Sequence, residues 1–370
     1  MKKLISMPMT AGTLAEYPST RSLEAACRHF DCDGLEVIWG GEDLPENIPE
    51  HLHVGYHLTF FPDWLDFWRA DRRALTRKFG SATAWTSFYG GPEGPDTLLK
   101  LYSEDLDRAV RWGAEYVVFH VSDVSVEEGY TYRWEHNHQE VVDAALEVIN
   151  TLLSGRNLTL AFLVENQWWP GFTFTMPALT RCLLDGIQYE NKGIMLDTGH
   201  LMNANLELRT QEEGADWVSR MLEEHGGLGS MVRGIHLHQS LSGAYVKAHT
   251  GSLPDPWPVD YAEQFCQSQL LGPAAGEAGP EDAAGFLQSC DLKTDRLAHP
   301  GENGDLPGGA LCNAQRGLLP GEKAGKRPYG HQQVVGPVAE LGNPLQHRPL
   351  LHGPAEAVAG GAGGLVFRCM

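Results

Sequence analysis

Short apolar runs alternate with amphipathic helical stretches through the first 270 of 370 residues, and this alternation constrains the fold more than any other feature. The runs at 3–7, 34–39, 54–58, 116–121, 158–164, 193–196 and 234–237 have strand length and are too apolar to leave a face in water. Between them the spacing is helical. Ser19 is placed to cap a helix with Leu23, Ala26, Cys27 and Phe30 on one face. Asp96 opens another carrying Leu98, Leu101, Ala109 and Trp112, and 139–153 repeats the pattern with Val142, Leu146, Ile149 and Leu153. Gly113 and Gly155 are expected to stop these two helices, and 177–184 and 212–225 are also helical in spacing. Such order predicts an α/β protein, either a (β/α)8 TIM barrel or a doubly wound sheet. The absence of GxGxxG after the first run favours the barrel. Seven strands are recognisable within 1–270, so the barrel is expected to be incomplete at its C-terminal end. Only 364–369 has a strand-like pattern beyond that point.

Composition changes after residue 270. The last hundred residues hold 19 of the 42 glycines and 10 of the 22 prolines, whereas all ten tryptophans lie earlier. Such a stretch buries too little apolar surface to offset the entropy of ordering it. Residues 271–370 therefore read as a low-order tail, disordered or translated out of frame. The formal charge of −20 (28 Lys+Arg, 48 Asp+Glu) argues against a protein that grips a phosphate backbone. Seven cysteines without CxxC spacing suggest a reduced, cytoplasmic protein. Neither a secretory leader nor a membrane span is expected from the pattern, and oligomeric state is left open.

The metal-capable side chains fall at successive strand ends. His57 ends the third strand, His120 the fourth, Glu165 the fifth, Asp197 with His200 the sixth, and His236 with His238 the seventh. In a barrel these positions converge on the C-terminal rim, where active sites form. In Asp197–Thr–Gly–His200 both end groups can face one cation if Gly199 permits the bend. His236 and His238 are two apart and share a side of the strand. A mixed N/O donor set without cysteine suits a divalent Zn, Mn, Co or Mg ion. His51, His53, His136 and His138 are expected to be exposed and unliganded.

The pieces LVEN, MLDTGH and GIHLHQS, in that order at successive strand ends, resemble the xylose-isomerase-like barrel superfamily over roughly residues 1–265. That superfamily includes sugar isomerases, epimerases and type-IV apurinic endonucleases. Likeness to a ketose epimerase implies that Glu165, Asp197 and His236 hold one divalent ion, with His200 on the substrate. The family's fourth ligand, a glutamate on the eighth strand, has no counterpart here. Likeness to an endonuclease implies six ligands of a trinuclear zinc cluster: His57, His120, Glu165, Asp197, His200 and His236. The family's Asp-x-His pair is matched only by Lys247–Ala248–His249, and a lysine repels a cation.

Aromatic side chains crowd the expected ligands: Tyr56, Phe60, Phe61, Trp64 and Trp68 after the third strand, Trp168 and Trp169 after Glu165. Apolar sugar faces stack on such rings, so Trp64, Trp168, Trp169 and His238 are candidate substrate contacts. The acidic loop 122–138 is a poor surface for DNA, and the basic helix face Arg69, Arg72, Arg73, Arg77 and Lys78 reads as solvated. The sequence thus points to a metal-dependent isomerase or epimerase of a small sugar or polyol. In that reading Glu165 removes the proton next to a carbonyl and His200 or His238 steadies charge on oxygen. Nucleic acid is disfavoured as a partner. The alternatives are zinc-dependent phosphodiester hydrolysis at abasic DNA and a damaged, non-catalytic barrel.

Overall fold

The computed structural model describes residues 2–44, 49–270 and 311–314. Eight parallel strands close into a barrel in chain order: β1 (Lys2–Met9), β2 (Gly34–Trp39), β3 (His53–His57), β4 (Tyr116–His120), β5 (Ala161–Glu165), β6 (Lys192–Asp197), β7 (Val232–Leu237) and β8 (Leu311–Ala314). The seven strands legible in the sequence are all present, shifted at their ends by a few residues. The expected shortfall at the C-terminal end takes the form of a four-residue β8, which pairs with both β7 and β1. It comes from the stretch read above as tail. The strand-like segment at 364–369 lies outside the described residues.

The helices form where the spacing predicts them. Ser19 and Ser22 make a reciprocal capping box for Thr20–His29, whose buried face is Leu23, Ala26 and Cys27. Gly113 and Gly155 follow Pro95–Arg111 and His138–Leu153 with φ of +75° and +70°, a region that costs a side-chain-bearing residue steric strain. Each fully buried Leu, Val or Phe between helices and strands contributes about 1.5–3 kcal/mol.

Strand periodicity then positions the site. A separate small cluster of Leu4, Tyr116, Val118, Ala161, Leu163 and Met195 fills the barrel. Side chains two apart on a strand share a face. The next inward positions after Val118, Leu163 and Met195 are His120, Glu165 and Asp197, so the packing that fills the barrel also aims these groups into its mouth.

A buried ionic cluster holds the rim beside them. Asp123 Oδ1 accepts the Trp64 and Leu65 amides at 2.8 and 2.9 Å, tying the loop after β3 to the loop after β4. Lys78 bridges Asp63 at 2.7 Å and Asp66 at 2.8 Å. His136 lies 3.2 Å from Asp66, and the Tyr261 hydroxyl donates to Asp63 at 2.7 Å. Two expectations change here. Lys78 is not on a solvated face, since its side chain is only 7% exposed; the three acids that need a counter-charge pull it inward. Asp123 and Glu128 of the acidic loop are likewise buried, Glu128 capping its own helix. Burial opposes the charge of Asp66, but His136 and Lys78 hold its carboxyl well below the usual range. Its stabilising contribution is complete above the unfolded-chain value of about 4 and lost as pH falls below it. Lys78→Met should destabilise the protein by about 3–5 kcal/mol by stranding buried carboxylates, measured as urea unfolding at pH 7. An effect under about 1 kcal/mol would show that the acids do not depend on the ammonium.

Candidate metal centre

Glu165 ends β5 at 1% exposure, and each of its oxygens lies between two imidazoles. Oε2 is 3.3 Å from His57 Nε2 and 3.1 Å from His120 Nε2; Oε1 is 3.2 Å from His200 Nδ1 and 3.1 Å from His236 Nδ1. Burial alone would push this carboxyl up, but the His236 charge and the His120 and His200 contacts hold it well below the ordinary range. His120 goes the other way: burial outweighs Glu165 and lowers the ring to about 4, which keeps it neutral at physiological pH.

Asp197, fully buried at the end of β6, is fixed on several sides. Its amide donates to Asn166 Oδ1 at 2.8 Å, while Asn166 Nδ2 donates to the Asp197 carbonyl at 3.0 Å. Its Oδ1 accepts the His200 amide at 2.7 Å, and Oδ2 meets His238 Nδ1 at 2.7 Å. The Thr198 hydroxyl sits 2.6 Å from the His238 carbonyl and 3.0 Å from its amide, which fastens β7 to β6. Gly199 serves close approach rather than the bend expected of it, since a Cβ there would lie 2.5 Å from His238 Cβ.

His57, His120, Glu165, Asp197, His200, His236 and His238 therefore converge. They form three donor groups in which the ligating atoms lie within 4.8 Å of one another: His57–His120–Glu165, Glu165–Asp197–His236 and Asp197–His200–His238. Contacts outside the donor groups bear on two of these rings. His57 Nδ1 lies 2.9 Å from the Leu58 carbonyl, so it carries the proton and Nε2 presents a lone pair. His120 Nδ1 is buried without a partner among the described residues.

Trp168 and Trp169 line the pocket, with the Trp168 ring 4.9 Å from that of His200. Trp64 does not reach it. That side chain is 2% exposed, donates Nε1–H to the Ser122 carbonyl and packs beneath the rim; Phe60 lines the pocket instead. Lys247 and His249 also stay apart, Lys247 pairing with Glu207 at 2.6 Å and His249 stacking on Tyr245. Of the histidines expected to be exposed, His51 is, whereas His136 is paired in the rim cluster and His138 is bonded to Gly171. The side chain of His53 lies outside the description. Glu36 of β2 and Gln167 were not legible as site residues. A lone carboxylate inside the apolar run Gly-Leu-Glu-Val-Ile-Trp was the available signal for Glu36.

No family model and no curated protein matches the chain. It is similar to solved structures of xylose-isomerase-like barrel proteins. An IolI protein with a bound zinc atom has 13% identity and a TM-score of 0.42 over 85% of this chain and 88% of that one. A D-psicose 3-epimerase with D-fructose has 10% identity and a TM-score of 0.42 over 92% and 94%. Endonuclease IV from Thermus thermophilus has 17% identity and a TM-score of 0.37 over 79% and 98%. None of these likenesses assigns an activity.

Asn166→Ala should leave the buried Asp197 amide without its acceptor and cost about 1–3 kcal/mol. Urea unfolding checks this, and an unchanged midpoint would show that Asn166 does not carry that strand end.

Proposed function

We propose that this protein is a divalent-metal-dependent isomerase or epimerase of a small sugar or polyol. The observation that carries the reading is the Glu165 carboxylate, shared by four imidazoles in a pocket bordered by Trp168 and Trp169 and lined by no lysine or arginine among the described residues. A polyanion would meet only carboxylates and imidazoles there, whereas a polyol offers hydroxyls to both and an apolar face to indole.

The donors are nitrogen and oxygen without sulfur, which fits Zn²⁺, Mn²⁺, Co²⁺ or Mg²⁺. Glu165, Asp197 and His236 would hold the ion, which when bound supplies Lewis-acid polarisation of a substrate carbonyl. Glu165 is the base expected from the sequence and is also one of the three residues that would hold the ion. We assign the proton transfer to His200, which lines the same pocket. Its Nδ1 lies 3.0 Å from the Asn166 carbonyl, 3.0 Å from Gln167 Nε2 and 3.2 Å from Glu165, so that nitrogen is engaged within the protein. Nε2 is left to take the proton from the carbon beside the carbonyl and return it at the neighbouring carbon on the same face, and inversion at the first carbon requires a second donor across the substrate.

One observation favours a second reading. Three donor groups that share Glu165 and Asp197 suit a multinuclear centre, the arrangement used for phosphodiester hydrolysis. Elemental analysis separates the two, since about one ion per chain fits the isomerase and about three fit the hydrolase.

His200→Gln should lower kcat by about 10²–10⁴-fold on the converted ketose while metal content is retained; Glu165→Gln should lose both metal and turnover. Wild-type protein is incubated with labelled ketoses and Mn²⁺ or Co²⁺, beside an abasic oligonucleotide with Zn²⁺. Oligonucleotide cleavage without sugar turnover would overturn the isomerase reading.

A further inference from the structure

Glu36 is a carboxylate at 0% exposure within an otherwise apolar strand, a costly placement unless its charge has a defined partner. Its oxygens lie 3.0 and 3.2 Å from His236 Nε2, and the Tyr116 hydroxyl donates to Oε2 at 2.5 Å. The opposite nitrogen of the same ring, Nδ1, faces Glu165 Oε1 at 3.1 Å and Asp197 Oδ2 at 3.9 Å. Tyr116 reaches Glu36 across the barrel because β3 carries glycine at position 55, where any Cβ would overlap the tyrosine ring. Residues from β2, β3, β4 and β7 thus combine in one arrangement below the donor groups.

We propose that Glu36 is a positioning residue that holds the Nε2–H of His236, so that the Nδ1 lone pair is aimed at the cation shared with Glu165 and Asp197. Gly55 and Tyr116 hold Glu36 in turn. A carboxylate behind a ligating imidazole fixes both its tautomer and its ring orientation and raises its donor strength. The backbone carbonyl of Leu58 acts similarly on His57, accepting from Nδ1 and leaving Nε2 for the His120 and Glu165 side. The two rings thereby present different nitrogens, Nε2 from His57 and Nδ1 from His236, and each is set by the partner behind it.

The inference rests on the metal reading of the proposed function, but its test does not use turnover. Co²⁺ is titrated calorimetrically into the full chain, wild type and Glu36→Gln. The His236 ring nitrogens are assigned by ¹⁵N NMR in Zn²⁺-loaded wild type. Glutamine keeps the shape of the side chain but accepts from or donates to the ring, so it no longer dictates the tautomer. Co²⁺ affinity is expected to fall about 10–100-fold in the variant. His236 in the wild type should be metal-bound through Nδ1 and protonated at Nε2. A carboxylate with a purely structural role would shift the unfolding midpoint and leave the affinity of the folded protein unchanged. Equal affinity in the two proteins overturns the role of Glu36 alone, as does Nε2 ligation in the wild type, which requires no variant to fold. Wild type that binds neither ion overturns the metal reading with it.

Discussion

A buried negative charge on Glu165 is the constraint from which the site follows. An ionised carboxylate cut off from water is tolerated only when other groups replace its hydration, and here four imidazoles do so from β3, β4, β7 and the short helix after β6. Two of these imidazoles are supported at the opposite nitrogen, His57 by the Leu58 carbonyl and His236 by Glu36, while the Asn166 carbonyl meets His200 at the nitrogen that faces Glu165. The strands cannot shift against one another without breaking these pairs. The charge balance around Glu165 therefore also holds the strand ends in register.

The rim cluster balances buried charge by a different route. Asp63 and Asp66 are paired with the Lys78 ammonium, a permanent cation carried on a helix, and His136 lies beside Asp66, while burial and Asp63 push the Asp123 carboxyl up to about 7. That arrangement acts as a structural tie between two loops. At the centre no lysine or arginine among the described residues reaches Glu165 or Asp197, and the counter-groups are imidazoles, which serve as neutral ligands or as cations according to what occupies the space between them. The two carboxylate clusters thus differ in charge balance, because one has a fixed ammonium and the other does not.

Much of this was legible in the chain because strand periodicity is local. His57, His120, Glu165, Asp197, His200, His236 and His238 end consecutive apolar runs, and a barrel leaves them little choice but to converge. Residues whose role depends on what lies opposite were not legible. Trp64 has the same sequence context as a sugar-stacking ring, yet its indole is drawn under the rim by the Ser122 carbonyl. Lys78 has the context of a solvated helix face and is buried by acids distant in sequence. Gly199 looked like a hinge and proved to be clearance for His238.

Alternating apolar runs and helix caps, read without coordinates, determined the α/β barrel, its first seven strands and the side chains at its mouth, because each depends on neighbours a few residues away. The tertiary structure decided the rest: that Leu311–Ala314 supplies the eighth strand, that Glu36 and Tyr116 stand behind His236, and which nitrogen each ring presents. Those outcomes depend on groups from strands far apart in the chain meeting within hydrogen-bond distance, and no spacing along a single segment encodes which partner will be there.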